Sequence, residues 1–174
     1  MKVVLHTCCG PCASACVPRL WEDGHEVTML FANSNIDTRE EFERRREAAA
    51  HLAEHDGVEF AALDYDHADW LAQVAAGYED EPEKGRRCER CYRYNLAKAA
   101  EYAAEHGFDA FTTSLTVSPH KPSAKIFAAS EDGRFLKADF KKREGFKLSV
   151  RRAAELGLYR QDYCGCEFSR KARA

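Results

Sequence analysis

The chain has 174 residues, 45% of them hydrophobic and 32% charged, with a formal net charge of -3. That length suffices for one full-sized domain with its own core, and the composition is too apolar for a disordered chain. No stretch approaches the about 18 apolar residues of a membrane span, and only Val3, Val4 and Leu5 are apolar in a row before His6, too few for a secretory leader, so a cytoplasmic protein without a membrane partner is expected.

"KVVLHT" (2–7) is a short apolar run with β-branched residues and predicts a buried strand. Cys-Gly-Pro breaks it. "ASACVPRLWEDG" (13–24) then predicts a helix ending at Gly24, which Pro18 bends or shifts. "HEVTMLFAN" (25–33) is the next strand. Asp37 or Thr38 is the N-cap for a long charged helix over 39–57, and 58–65 is a third strand. Residues 66–77 are helical, and "YEDEPEKGRR" (78–87) is a polar loop. It delivers a helix over 88–107, in which Tyr92, Leu96, Ala99, Ala100 and Ala103 recur at helical spacing. "DAFTTSLTVS" (109–118) is a fourth strand and "RFLKADF" (134–140) a short fifth. Pro119 and Pro122 mean that any helix in 119–133 starts after them. A last helix covers 147–158 and a tail follows.

Strands alternating with helices predict an α/β fold: an open, mostly parallel sheet of about five strands with helices on both faces. With no repeat and no linker, residues 1–174 read as a single domain. Ligands in such sheets bind beyond the carboxyl ends of the strands, near the switch in strand order. Cys8 and Cys9 follow the first strand and "SLTVSPHK" the fourth, so both fall where that rule places a site.

The eight cysteines form three groups: Cys8, Cys9, Cys12 and Cys16; Cys88 and Cys91; Cys164 and Cys166. In a reducing compartment, clustered cysteines indicate a metal site or catalysis rather than structural disulfides. Cys9-Gly-Pro-Cys12 has thioredoxin spacing, but only one strand precedes it, Cys8 stands where a thioredoxin has Trp, and the other cysteines go unexplained. A thioredoxin-like dithiol oxidoreductase is therefore one alternative. "CERC" (88–91) aims two sulfurs at one centre and needs partners, which Cys8 and Cys9 supply. Adjacent cysteines diverge and fit a single tetrahedral zinc poorly. A cubane cluster offers separate irons over a wider span, which favours iron–sulfur. A zinc-stabilised RNA-binding module is the other alternative. Cys16, inside a helix beside Val17, has the character of a small buried hydrophobe. Cys164 and Cys166 flank one glycine. A ring closed over one residue is strained and readily reduced, which marks a labile, redox-active pair, with two further metal ligands as the competing reading.

"LHTCCGPC", "RCERCY", "TTSLTVSPHK", "DFKK" and "GLYRQDYCGC" together resemble the epoxyqueuosine reductase family QueH, from the first strand into the tail. The resemblance implies reduction of the epoxide of epoxyqueuosine to the alkene of queuosine, the last step in making a modified base at the wobble position of tRNA anticodons. It implies a 4Fe-4S cluster on Cys8, Cys9, Cys88 and Cys91, a redox-active pair at Cys164 and Cys166, and a fold resembling the nucleotide α-hydrolase (HUP-like) type. Its partners are epoxyqueuosine-containing tRNA and an electron donor that the sequence does not identify. The segment between "SPHK" and "DFKK" is shorter than the family's helix. Cys12 is a candidate ligand for a second metal, an additional iron ion beside the cluster. His120, Asp162 and Tyr163 are candidate proton donors to the departing oxygen. No SGGxDS-type phosphate loop follows the first strand, which argues against an ATP-consuming thiolase on this fold.

Charge agrees with a nucleic-acid partner. From Arg134 to Ala174 there are 12 Lys/Arg against 5 Asp/Glu, a net of +7, which leaves -10 on the rest. Lys141, Lys142, Arg143, Lys147, Arg151 and Arg152 are candidate phosphate contacts, although a solvated helix face would have the same charges. Tyr92, Phe140, Phe146 and Tyr163 are candidates to stack on a splayed base, with core packing the competing role for each.

Overall fold

The computed structural model describes residues 1–172; residues 173–174, the end of the basic C-terminal segment, lie outside the described residues. Its sheet has four parallel strands in the order β3-β2-β1-β4: β1 Lys2–His6, β2 Glu26–Phe31, β3 Glu59–Ala62 and β4 Ala110–Thr113. Side chains alternate between the faces, as the two-residue period of a strand requires. Leu5, Met29 and Phe31 enter one core with α1 Gly10–Glu22, α2 Arg39–Asp56 and α6 Gly145–Glu155. Val4 and Leu30 enter the other with α4 Arg86–Glu105 and α5 Ser123–Phe127. A short α3 (His67–Trp70) runs into a π turn, and α7 (Glu167–Ala172) adds a helix in the tail that the sequence does not announce.

The expected fifth strand is absent from the sheet. Residues 134–140 make a single bridge, Phe111 to Phe135. Beyond it, β4 and the turn after it present hydroxyls in place of a ladder. Thr112 Oγ1 donates to the Leu136 carbonyl at 2.8 Å, and Thr116 Oγ1 donates to the Ala138 carbonyl at 3.0 Å and accepts from the Phe140 amide at 3.1 Å. The fourth strand is also shorter than predicted. Thr113 Oγ1 accepts from the Leu115 amide at 3.1 Å and turns Ser114–Val117 into a 3-10 helix.

The first helix starts earlier than predicted, at Gly10, with Cys9 as its N-cap. It continues through Pro18, which has no N–H to give the Ser14 carbonyl. Arg152 of α6 fills that gap, donating to Ser14 O at 2.7 Å while pairing with Asp56 at 2.6 Å. Thr38, not Asp37, caps α2, accepting from the Glu41 amide at 3.2 Å.

A cysteine-lined candidate active site

β2 and β3 lie on one side of β1 and β4 on the other, so the chain switches direction between β1 and β4. The carboxyl ends of these two strands form the floor of the site. Cys8 stands at the end of β1, and Ser114 just past β4 accepts from its amide at 3.0 Å and donates to its sulfur at 3.2 Å. Gly10 allows the next step. A Cβ there would lie 2.8 Å from the Ala48 carbonyl of α2, so only glycine lets α1 start this close.

Seven of the eight cysteines line one cavity of about 330 Å³: Cys8, Cys9, Cys12, Cys88, Cys91, Cys164 and Cys166. The sulfurs of Cys8, Cys9 and Cys12 all lie within 4.8 Å of one another. Cys88 and Cys91 occupy the first turns of α4, within the helix expected over 88–107. The fold thus gathers all three cysteine groups. Cys16 stays apart, buried in the core, as its apolar surroundings in the sequence suggest.

The donor chemistry of the cavity fits a thiolate-bound metal centre. Ser114 Oγ donates to Cys8, the Cys12 amide to Cys9 at 3.5 Å, the Lys84 amide to Cys88 at 3.3 Å and Asn95 Nδ2 to Cys91 at 3.7 Å. Hydrogen bonds from Cys12 and Cys8 hold the Cys9 thiol well below the usual range. The same contacts, with burial, push Cys12 well above it. Burial raises Cys88 and Cys91 and pushes Cys166 up to about 12. Most of these sulfurs therefore keep their protons at neutral pH without metal, so loading the site releases protons.

The Cys164-Gly165-Cys166 loop is held by its backbone. Arg45, 2% exposed, donates to the carbonyls of Tyr163 at 3.2 Å and Cys164 at 2.9 Å, and its Nε pairs with Glu41 at 2.7 Å. Ser169 Oγ accepts from the Cys164 amide at 3.1 Å, and the Asp37 amide donates to the Gly165 carbonyl at 2.8 Å. Gly165 has φ +140°, and a Cβ there would meet Asn35 Nδ2 at 3.1 Å. No other residue type suits that position.

His120 and Asp162 are exposed on the cavity rim. Tyr163 also lines the cavity, but its hydroxyl is engaged by Asp37 and Arg170, and burial pushes it up to about 12. Sequence reasoning passed over Lys121, the last letter of "SPHK". Half-buried on the cavity wall, it is pushed above the usual lysine range, chiefly by Cys164. Lys141 Nζ fixes its position, donating to the Lys121 carbonyl and to Ser123 Oγ, both at 2.8 Å. The joint presence of "SPHK" and "DFKK" was the available signal, because the second motif fastens the first.

The basic candidates divide by environment. Lys141 and Arg152 are tied into the fold by the bonds described above. Lys142, Arg143, Lys147 and Arg151 are exposed, the last three in surface pairs with Glu22, Glu144 and Glu155. Of the aromatic candidates, Tyr92, Phe140 and Tyr163 are buried, whereas Phe146 is 39% exposed at the cavity wall.

No helix among the described residues is long and apolar enough to cross a membrane. The backbone is similar to the U34-tRNA thiolase NcsA from Methanococcus maripaludis, described with its [4Fe-4S] cluster. The TM-score is 0.60 at 12% identity, over 97% of this chain and 61% of that one. It is also similar to NMN synthetase from Francisella tularensis, with a TM-score of 0.57 at 12% identity, over 94% of this chain and 66% of that one. These likenesses bear out the open parallel fold. Among curated relatives, the epoxyqueuosine reductase QueH of Streptococcus pyogenes is 37% identical over 98% of this chain and 71% of its own length. That of Dehalococcoides mccartyi is 33% identical over 99% and 94%. The family model for epoxyqueuosine reductase QueH matches residues 3–172, and the chain belongs to that family.

Proposed function

We propose that this chain reduces epoxyqueuosine in tRNA to queuosine, as one catalytic domain (1–174) working in the cytoplasm where that tRNA is found. The observation that carries the reading is the convergence of seven cysteines from three distant segments on one cavity. Cys8, Cys9, Cys88 and Cys91 hold a 4Fe-4S cluster, and Cys12 is placed to hold an additional iron ion beside it. When bound, the cluster supplies Lewis acidity toward oxygen and a store for electrons.

The remaining chemistry belongs to side chains. Converting an epoxide to an alkene consumes two electrons and two protons and releases water. Oxidation of the Cys164/Cys166 dithiol to a disulfide yields two electrons and two protons, so one turnover balances against one dithiol, and an external electron donor restores it. The backbone clamp on Cys164 and Gly165 holds the pair at the cavity wall. His120 and Asp162 stand on the rim as candidates to protonate the departing oxygen. Lys142, Arg143, Lys147 and Arg151 offer exposed charge to the RNA backbone. Their surface pairs are worth little and can be exchanged for phosphate. Phe146 is the exposed aromatic beside the cavity on which a splayed base can stack.

The test is anaerobic purification and reconstitution, followed by reaction with epoxyqueuosine-containing tRNA and nucleoside mass spectrometry. The expected result is about four to five irons per chain, a brown protein bleached by dithionite, and loss of one oxygen atom from the nucleoside. Cys88→Ala loses iron and activity together. Colourless anaerobic protein carrying one tight zinc, with no deoxygenation, overturns the reading.

A further inference from the structure

Two side-chain amides in the cavity wall each bury a carbonyl oxygen that has no hydrogen-bond partner. Asn95 is 2% exposed and lies one helical turn beyond Cys91 on α4. Its Nδ2 donates to Cys91 Sγ at 3.7 Å and to Asn35 Oδ1 at 3.3 Å. With Nδ2 on these partners, Oδ1 is buried without a donor. Gln161 approaches from the other segment, three residues before Cys164. Its Oε1 is likewise buried without a donor, and its side chain is among the groups that lower the Cys9 thiol. Both residues line the cysteine cavity.

A buried acceptor without a partner is costly, and native folds satisfy nearly all such atoms. Two of them on residues that line one cavity, one on an amide whose nitrogen bonds a candidate metal-binding sulfur, indicate a ligand that brings donors. We propose that Asn95 Oδ1 and Gln161 Oε1 are the recognition pair for the hydroxyl donors of the ring that carries the epoxide, holding that ring against the sulfurs of Cys9 and Cys91. The inference rests on the reductase reading above and adds to it the group that selects the substrate. Unmodified guanine has no such ring, so it leaves both acceptors unpaired. Sites built on buried polar groups discriminate strongly in this way.

The experiment compares two tRNAs that differ only at the wobble position, epoxyqueuosine in one and guanine in the other. Binding is titrated anaerobically on reconstituted protein whose Cys164/Cys166 pair has first been oxidised to the disulfide, with no external reductant, so that nothing turns over. Gln161→Met preserves length and removes the acceptor at a half-buried position, with iron content and urea unfolding as its folding control. Asn95→Leu does the same on α4, with iron content and absorption spectrum as its folding control. In each variant the Kd for the epoxyqueuosine tRNA is expected to rise roughly tenfold while that for the guanine tRNA stays put. If Gln161→Met leaves both Kd values unchanged, or raises both equally, the recognition role is wrong. If the wild type neither distinguishes the two tRNAs nor deoxygenates one of them, the reductase reading itself fails.

Discussion

Arg45 Nη1 donates to the carbonyl of Cys164 at 2.9 Å from a side chain that is 2% exposed. The same guanidinium pairs with Glu41, itself 6% exposed. Removing the cation leaves that carboxylate with the Tyr159 hydroxyl, at 3.0 Å and 3.1 Å, and a long 3.9 Å approach from the half-exposed Arg44. Arg45→Ala is therefore expected to cost about 3–5 kcal/mol in urea unfolding. Arg45→Lys restores the charge but not the fork on two carbonyls. It should recover part of that stability while Cys164 alkylates faster than in the wild type. Wild-type alkylation rates in a stable Arg45→Lys would show that the clamp does not position the thiol.

Arg152 should behave as a structural residue, unlike its neighbour Arg151. It satisfies the Ser14 carbonyl that Pro18 leaves open and pairs with Asp56, which is 3% exposed. Arg152→Ala is expected to lose about 2 kcal/mol. In a Pro18→Ala background, where the helix closes on Ser14 by itself, the loss should shrink. Arg143→Ala and Lys147→Ala should stay within about 0.5 kcal/mol of wild type. Each should also reduce the salt slope of tRNA binding by about one. Equal stability losses at Arg151 and Arg152 would contradict this division.

Gly10→Ala tests the close approach of α1 to α2. The added methyl would lie 2.8 Å from the Ala48 oxygen and 3.0 Å from its carbon, both backbone atoms. A cost of about 1–3 kcal/mol is expected. Because Cys9 and Cys12 flank this residue, iron content after reconstitution should fall as well. Full iron occupancy in the variant would show that the sulfur cluster tolerates the displacement.

His6 gives the metal-free protein an acid limit. It is fully buried, hydrogen-bonded by Thr113 Oγ1 at 2.9 Å and donating to the Ala32 carbonyl at 3.2 Å. Burial lowers its pKa to about 4. Above about pH 6.5 both folded and unfolded chains are neutral at this ring. As pH falls below that, the unfolded chain takes up a proton that the folded one refuses. Stability is expected to drop by about 3 kcal/mol between pH 6.5 and pH 4. Urea unfolding across that range should show a shallower slope for His6→Asn. Parallel slopes would mean that other groups carry the acid sensitivity.

The sequence by itself determined the alternation of strands and helices, the placing of Cys8 and the "SPHK" segment at strand ends, and the family. These follow from local apolar periodicity and from short, specific motifs. It also marked Cys16 as a core residue, because a cysteine one turn into an apolar helix has little else to do. Tertiary structure alone decided the rest. Residues 134–140 failed to become a strand because Thr112 and Thr116, distant in sequence, satisfy their backbone groups. Arg152 resembles its neighbours in a basic run, and only the carbonyl freed by Pro18 on another helix removes it from the surface. Lys121, Asn95 and Gln161 belong to the site through what surrounds them: thiols beside the lysine, and buried, unpaired acceptors on two cavity-lining amides. Sequence shows which groups a chain has, but a group's charge and hydrogen-bonding duty depend on its neighbours, and those are fixed only when distant segments pack.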